Sequence, residues 1–309
     1  MEQYDVLIVG AGPAGLTAGL YCGRARLKTL ILDELTSGGT LLKTEKIEDY
    51  PGFEEVTGTE LAQRMEAQAR KFATDIRLES VSEVASAGAW KTVTTEQAVY
   101  RAGAVIITAG GWPKKLEVPG EETLAGKGVS YCALCDGPFF QGQALAVVGG
   151  GTTAVEEADF LTRYASHVTI IHRRDAFRAH KIAQERALAN PKIDVRWNSV
   201  VTAIEGTEGV EGVRVRDVHT GKELSLPLSG VFIAIGFIPR SIKDHAKHDA
   251  GGVLLTDERM EISVPGVFAA GDIRAQPVRQ ITNAVGDATI AAVMAEKYLD
   301  VHALRMPWQ

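Results

Sequence analysis

The chain has 309 residues, enough for two domains of ordinary size, and its 45% apolar and 23% charged residues are typical of a globular protein. Its formal net charge of -6 argues against nucleic acid and against an anionic membrane as the main partner. Apolar runs are short and interrupted by Gly and Pro, so no membrane-spanning helix is predicted, and we expect a cytoplasmic protein.

The first predicted unit is a strand, a glycine turn and a helix. Residues 4–9, which end in the apolar run 6–9, are typical of a buried parallel strand, and a helical pattern extends from the turn to about residue 25. A second strand, 28–32, ends at Asp33, whose carboxylate is suited to accept hydrogen bonds from ribose hydroxyls. Glycines at this spacing let the backbone approach a pyrophosphate at a helix N-terminus. We therefore predict a nucleotide site built from Gly10, Gly12, Gly15 and Asp33.

The same pattern restarts in the middle of the chain. A strand at 143–148 leads into a second glycine turn, a helix at 154–164 and a strand at 167–171. Strands at 104–108 and 230–235 both end in glycine, which supports a duplication. The second turn predicts another dinucleotide site, formed by Gly149, Gly151, Thr152 and Thr153.

These elements predict an α/β fold of two Rossmann-like, three-layer domains that bind dinucleotides. Residues 38–53 are rich in turn signals, and 267–272 read as a strand and turn before a long helix at about 282–299. The second domain is interpreted as an insertion. The predicted boundaries are 1–113 and 245–309 for the first domain and 114–244 for the inserted one.

The second site carries arginines where the first carries an acid. The strand at 167–171 is followed by His172 and then by Arg173, Arg174 and Arg178. Guanidinium groups bind a ribose 2′-phosphate with charge-assisted hydrogen bonds, whereas a carboxylate repels it. This site is therefore predicted to prefer NADPH, the alternative being a solvated basic loop.

Two of the three cysteines form the pair Cys132-x-x-Cys135, fourteen residues before Gly149. A zinc site needs two further ligands, which the sequence does not offer at suitable spacing, so no metal is expected. A reversible disulfide fits the pair. Asp136 either exchanges protons with this dithiol or caps the following turn. Cys22, in the first helix, is expected to be buried and inert.

Over nearly its full length the sequence resembles the low-molecular-weight, bacterial-type thioredoxin reductases. The most specific matches are Cys132–Gly137, placed ahead of the second glycine motif, and the His-Arg-Arg-Asp-x-Phe-Arg run at 172–178. The resemblance implies a homodimer that passes electrons from NADPH to FAD, then to Cys132–Cys135, then to thioredoxin or a thioredoxin-like protein. Cys135 would be the flavin-proximal sulfur, Cys132 the nucleophile and Asp136 the acid/base. Further flavin contacts implied by the resemblance are Gly38, Gly39, Thr40, Gly271, Asp272, Arg279 and Gln280.

Some positions depart from the family pattern. Thr40 and Asp49 replace more usual Gln and Asn, and residues 281–289 replace a helix start richer in Ala and Gly. These changes lie near the expected flavin and are candidates for tuning its potential or accessibility. Trp308 is interpreted either as a ring that stacks near the flavin or as part of a disordered end.

Two alternatives stay open. One is a flavin reductase of the same fold with another electron donor or another disulfide partner. The other is a flavin-binding redox sensor without catalytic activity, which would need neither a 2′-phosphate site nor a dithiol.

Overall fold

The computed structural model describes residues 1–44 and 47–306, so Trp308 lies outside the described part. It contains six helices within those residues: α1 (Pro13–Arg24), α2 (Gly58–Lys71), α3 (Ala133–Asp136), α4 (Thr152–Leu161), α5 (Lys181–Ala189) and α6 (Ile281–Val301). The strands of the same residues are β1 (Gln3–Val9), β2 (Thr29–Asp33), β3 (Asp75–Leu78), β4 (Val81–Ala87), β5 (Trp90–Thr95), β6 (Val99–Ile107), β7 (Gly111–Pro113), β8 (Val129–Ser130), β9 (Ala144–Val148), β10 (His167–Ile171), β11 (Ile193–Arg196), β12 (Ser199–Glu205), β13 (Gly212–Asp217), β14 (Glu223–Pro227), β15 (Gly230–Ile233), β16 (Phe237–Pro239) and β17 (Val267–Ala269).

The chain divides into two compact units. The first unit comprises Met1–Trp112 and Ile238–Gln309, and the second comprises Pro113–Phe237. The second crossing lies earlier than the predicted boundary at residue 244. Residues 238–244 belong to the first unit because Ile242 is buried in its core and the Arg240 N–H donates to Gly110 O, at 3.0 Å.

The first unit is built on one sheet with the strand order β3-β2-β1-β6-β5-β4, and β17 also pairs with β6. Strands β1, β2, β3, β6 and β17 are parallel, and β4, β5 and β6 form an antiparallel meander. One face of the sheet packs on α1, α2 and α6. Side chains on the other face share a second core with side chains of the meander and of the 242–273 segment. These layers bury β1 on both faces, which explains the apolar run Val6–Val9 at its carboxyl end.

The second unit repeats this plan. Its parallel sheet has the order β11-β10-β9-β15-β8, and helices α4 and α5 pack on one face. The antiparallel sheet β12-β13-β14 covers the other face, where Val201, Val213 and Val215 are buried. Each unit is therefore a three-layer α/β domain in which the carboxyl end of one parallel strand, β1 or β9, is followed by a glycine turn.

No helix among the described residues has both the length and the apolar character that a bilayer crossing requires.

Candidate active site

The first glycine turn connects β1 to α1, with Gly12 as the N-cap and Pro13 at the first helical position. Gly10 has a φ of 109°, and a Cβ atom there would lie 2.6 Å from the Thr108 carbonyl oxygen. A Cβ atom on Gly12 would meet no atom within 4 Å, so the space in front of the α1 N-terminus is open. Backbone N–H groups facing open space at a helix N-terminus suit a pyrophosphate, and this turn therefore fits FAD.

Asp33, the last residue of β2, lies beside this turn. Its Oδ2 accepts a hydrogen bond from the Ala11 N–H at 2.5 Å, and its Oδ1 accepts one from the Leu35 N–H at 3.0 Å. A carboxylate has about four acceptor positions, so two remain for ribose hydroxyls. A cleft lined by Gly10, Asp33 and Glu34 runs along the carboxyl ends of β1 and β2, where nucleotides bind in this class of fold.

Gly38, Gly39 and Thr40 open a 3₁₀ turn that reaches the first glycine turn. The Gly38 N–H donates to Ala11 O at 2.8 Å, and a Cβ atom on Gly39 would lie 3.3 Å from Gly12 Cα. Thr40 is exposed. The two glycines predicted to contact the flavin therefore lie directly against the pyrophosphate turn.

Gly271 and Asp272 form a second turn that lies against the start of α1, close to the first glycine turn. A Cβ atom on Gly271 would lie 3.1 Å from Ala14 Cβ, so this turn packs on the first turn of α1. Burial raises the pKa of Asp272, and the nearby Arg279 guanidinium opposes that rise. Gln280 is the N-cap residue of α6.

Asp287 lies within the 281–289 segment that departs from the family pattern, and it holds the Gly271 turn in place. Its Oδ2 accepts a hydrogen bond from the Gly271 N–H at 3.3 Å, and the same carboxylate pairs with Arg274 at 3.2 Å. The substituted segment therefore supports the turn that carries Asp272.

Two alanine substitutions in the first turn should have opposite signatures. Gly10→Ala places an alanine in a left-handed backbone conformation and in a clash with Thr108. It should therefore lower the free energy of unfolding of the apoprotein, by about 1–3 kcal/mol from the backbone strain alone. Gly12→Ala meets no protein atom and should leave apoprotein stability unchanged while the purified protein loses most of its flavin. Thermal unfolding and the ratio of flavin to protein measure these effects. Full flavin content in Gly12→Ala would contradict the proposed pyrophosphate position.

The second glycine turn connects β9 to α4. Gly149 follows β9, Gly151 is the N-cap, and Thr152 and Thr153 are the first two residues of α4. The Arg178 N–H donates to Gly150 O at 2.8 Å, and the His180 N–H donates to Thr152 Oγ1 at 3.2 Å. These hydrogen bonds attach the segment after β10 to the glycine turn, so the predicted arginines and phosphate turn lie together.

Arg173, Arg174 and Arg178 are exposed. Within the described residues, their guanidinium groups form no hydrogen bond or ion pair. His172, immediately before them, is buried against Phe177 and Trp197, and its burial lowers its pKa. His172 thus anchors the segment, and the three unpaired guanidinium groups are available for an anion.

Cys132 and Cys135 form a disulfide with a Cα–Cα distance of 5.4 Å, at the start of α3. The Cys135 N–H donates to Cys132 Sγ at 3.2 Å. Ser130 is a residue that sequence reasoning missed: its Oγ donates to Asp136 Oδ2 at 2.6 Å and accepts from the Cys132 N–H at 3.1 Å. Both redox sulfurs and the carboxylate are therefore held by one short segment of the second unit.

Cys22 is buried, and burial raises the pKa of its thiol strongly, as expected for an inert cysteine. Among the residues that the structure describes, no group of three His, Cys, Asp or Glu side chains is arranged to hold a metal ion.

Known proteins are similar to this chain over most of its length. The profile of the pyridine nucleotide-disulphide oxidoreductases matches residues 4–288. Thioredoxin reductase of Bacillus subtilis (strain 168) is 47% identical over 96% of this chain and 95% of its own length. Thioredoxin reductase of Mycolicibacterium smegmatis is 48% identical over 96% of both chains. The chain belongs to the thioredoxin reductase family.

A solved thioredoxin reductase, from Streptococcus pyogenes MGAS5005, matches this chain with a TM-score of 0.92 and 45% identity, covering 97% of this chain and 99% of the other. Membership of the thioredoxin reductases confirms the predicted resemblance, the two-domain α/β fold and the pair of cofactors, FAD and NADPH.

Proposed function

We propose that this protein is an NADPH-dependent thioredoxin reductase that uses Cys132–Cys135 as its outgoing redox couple. The observation that carries the proposal is that one compact unit holds this disulfide, a phosphate-binding glycine turn and three unpaired arginines. Bound FAD supplies two-electron transfer between the nicotinamide and the disulfide. The protein binds the two nucleotides, positions the sulfurs and moves the protons.

Arg173, Arg174 and Arg178 are proposed to bind the 2′-phosphate of NADPH, while Gly149, Gly151, Thr152 and Thr153 receive its pyrophosphate at the N-terminus of α4. Gly10, Gly12 and Gly15 take the same role toward FAD, with Asp33 as the ribose acceptor. Gly38, Gly39, Thr40, Gly271, Asp272, Arg279 and Gln280 are proposed to line the rest of the flavin site.

Cys132 is proposed to be the attacking sulfur. After reduction of the pair, the hydrogen bond from the Cys135 N–H favours the thiolate on Cys132. This thiolate attacks one sulfur of oxidised thioredoxin, which forms a mixed disulfide and releases one thioredoxin thiolate. Cys135 then attacks Cys132 Sγ, which restores the Cys132–Cys135 disulfide and releases the second thioredoxin sulfur.

Asp136 is proposed to supply and accept the protons of these exchanges, with Ser130 holding its carboxylate in place. Asp136→Asn should therefore lower the rate of thioredoxin reduction by about 100-fold, whereas reduction of the flavin by NADPH should proceed normally. Stopped-flow flavin absorbance and steady-state thioredoxin reduction separate the two steps. Normal thioredoxin turnover in Asp136→Asn would contradict the proton-transfer role and favour the alternative in which Asp136 only caps the following turn.

Apolar side chains flank the disulfide. Leu134 is 50% exposed and Phe139 is 42% exposed, on either side of Cys135 along the chain. Exposed apolar groups next to a reactive pair suit docking of a protein partner. This favours thioredoxin or a thioredoxin-like protein over a small disulfide.

The test compares electron donors and acceptors. Purified protein should be yellow, bleach anaerobically with NADPH far more readily than with NADH, and reduce a thioredoxin from a panel of thioredoxin-like proteins. Equal use of NADH, or no thioredoxin reduction, would favour a same-fold reductase with another donor or partner. A flavin that NADPH leaves oxidised would favour the redox sensor.

We also propose that the protein works as a homodimer in the cytoplasm. The support is the family resemblance for the dimer, and the dependence on NADPH, an intracellular reductant, for the compartment. Sedimentation of the holoenzyme at twice the mass of one chain would agree with the homodimer.

A further inference from the structure

Residues 244–254 of the first unit form a compact turn, the His248 turn, and the His248 ring bridges it. Nδ1 is 2.9 Å from the Gly252 carbonyl oxygen, and Nε2 is 3.0 Å from Asp244 Oδ1. Asp244 is buried, and the same Oδ1 accepts a hydrogen bond from the Ala246 N–H at 3.0 Å. A carbonyl oxygen and a carboxylate oxygen only accept hydrogen bonds. Both ring nitrogens of His248 therefore face acceptors.

This arrangement suits only the protonated ring. A neutral imidazole carries one N–H, so at one of the two contacts its lone pair would face an acceptor oxygen, whereas the imidazolium donates at both. Burial opposes the charged form, but the hydrogen bonds to the Gly252 carbonyl and the Asp244 carboxylate outweigh it, so the pKa of His248 lies above its ordinary value of 6.5. The side chain is 35% exposed, so the ring exchanges protons with solvent. Its charge therefore responds to the pH of the surroundings.

The His248 turn packs on the Gly271 turn, which is proposed above to bind flavin. Leu254, at the end of the His248 turn, is fully buried. Its N–H donates to Ile273 O at 2.9 Å, and its carbonyl oxygen accepts a hydrogen bond from the Ala275 N–H at 2.8 Å. Arg274, between these two partners, donates its N–H to Gly271 O at 3.1 Å. Backbone hydrogen bonds therefore connect the His248 turn to the Gly271 turn.

We propose that His248 is a pH-dependent positioning residue for the flavin site. Its imidazolium holds the His248 turn closed, and the closed turn supports residues 273–275 and, through them, the Gly271 turn. When the ring releases a proton to solvent, one of its two hydrogen bonds is lost and this support weakens. Flavin binding and protonation of His248 are then linked, so that each favours the other. The proposal rests on the flavin role assigned above to the Gly271 turn.

The direction of the effect follows from the charges around the ring. Asp244 and Asp249 both favour the cation. Because the pKa of His248 is raised in the folded protein, its stabilising effect is complete below pH 6.5 and is lost as pH rises through the folded-state pKa. The other charged or titratable groups on the elements that pack around the turn are Glu83, Arg240, Lys243, His245, Lys247, Asp257, Glu258, Arg259, Glu261 and Arg274.

The test is amide hydrogen exchange in the FAD-bound protein, compared between wild type and His248→Gln from pH 6 to pH 9. The readout is the exchange rate of the Leu254 and Ala275 amides, whose hydrogen bonds join the His248 turn to residues 273–275. Glutamine is neutral at every pH, and its single amide nitrogen does not donate at both contacts. The intrinsic pH dependence of exchange cancels in the ratio of the rates in the two proteins.

At pH 6 both amides should exchange about three- to fivefold faster in His248→Gln than in wild type, the factor expected for one partly exposed, charged hydrogen bond. The ratio should approach one as pH rises to 9. The dissociation constant of FAD, measured by titration of the apoprotein, should be raised by the variant at pH 6 and hardly changed at pH 9. His219→Gln, which replaces an exposed histidine of the second unit, is the matched control and should behave as wild type throughout.

An exchange ratio that is constant with pH would overturn the proposal, because a merely structural role of the side chain acts equally at all pH values. The same pH dependence in His219→Gln would overturn it too. A pH-dependent exchange ratio with unchanged FAD affinity would overturn the link to the flavin site. Failure of the proposed function would instead abolish NADPH-dependent thioredoxin turnover and leave the exchange ratio dependent on pH.

Discussion

Cys135→Ser should abolish thioredoxin reduction while NADPH still bleaches the flavin. The substitution removes one sulfur of the disulfide at the start of α3, so electrons delivered to the second unit have no dithiol through which to leave. Loss of a nucleophilic residue that acts as part of a unit commonly lowers kcat by about 1000-fold or more. Anaerobic absorbance with NADPH and steady-state thioredoxin turnover measure the two halves of the reaction on one preparation.

The matched control is Cys22→Ala. Cys22 is buried in the core of the first unit, remote in sequence from the redox pair, so its removal should leave both half-reactions intact. Normal thioredoxin turnover in Cys135→Ser would exclude the proposed electron route.

The arginine triple variant, Arg173, Arg174 and Arg178 all to Ala, should convert an NADPH-selective enzyme into one that discriminates little between NADPH and NADH. Each charge-assisted hydrogen bond contributes about 1.5–3 kcal/mol, so three lost bonds weaken NADPH binding by roughly 1000-fold or more. NADH lacks the 2′-phosphate, and its affinity should hardly change. The KM values for the two nucleotides in flavin reduction report both effects.

Arg216→Ala is the control for loss of an exposed arginine elsewhere in the same unit, because Arg216 lies exposed on β13. It should leave the nucleotide preference unchanged. Equal weakening of NADPH and NADH by the triple variant would place the arginines away from the 2′-phosphate.

The parallel strands could be predicted from the sequence, whereas the antiparallel layers could not. Strands such as β1 and β9 are buried on both faces, carry an apolar run and end at a glycine turn, which gives a strong local signal. β14 is mostly exposed, and its sequence carries no apolar run. Helix α2 carries a local sequence signal, because Thr57 caps it by accepting a hydrogen bond from the Glu60 N–H, the Thr-x-x-Glu capping pattern.

The residue types of the candidate site were predicted because their chemistry is encoded in short motifs. The side chains that hold these residues in place by hydrogen bonds lie outside the motifs, so the sequence does not identify them. Ser130 precedes the first redox cysteine by two residues, and only the structure shows its hydrogen bond to Asp136.

The discontinuous first unit imposes an order on biosynthesis. The second unit is one continuous segment, Pro113–Phe237, and has its own hydrophobic cores. Helix α6 packs on α1 in the core of the first unit, yet the ribosome makes it after the whole second unit. The middle of the nascent polypeptide is therefore free to fold first, while the β1–β6 sheet lacks the parts of its two cores that α6 and the 242–273 segment supply. The nascent chain with this incomplete sheet exposes apolar surface, so it is the folding intermediate most prone to aggregation and most dependent on chaperones.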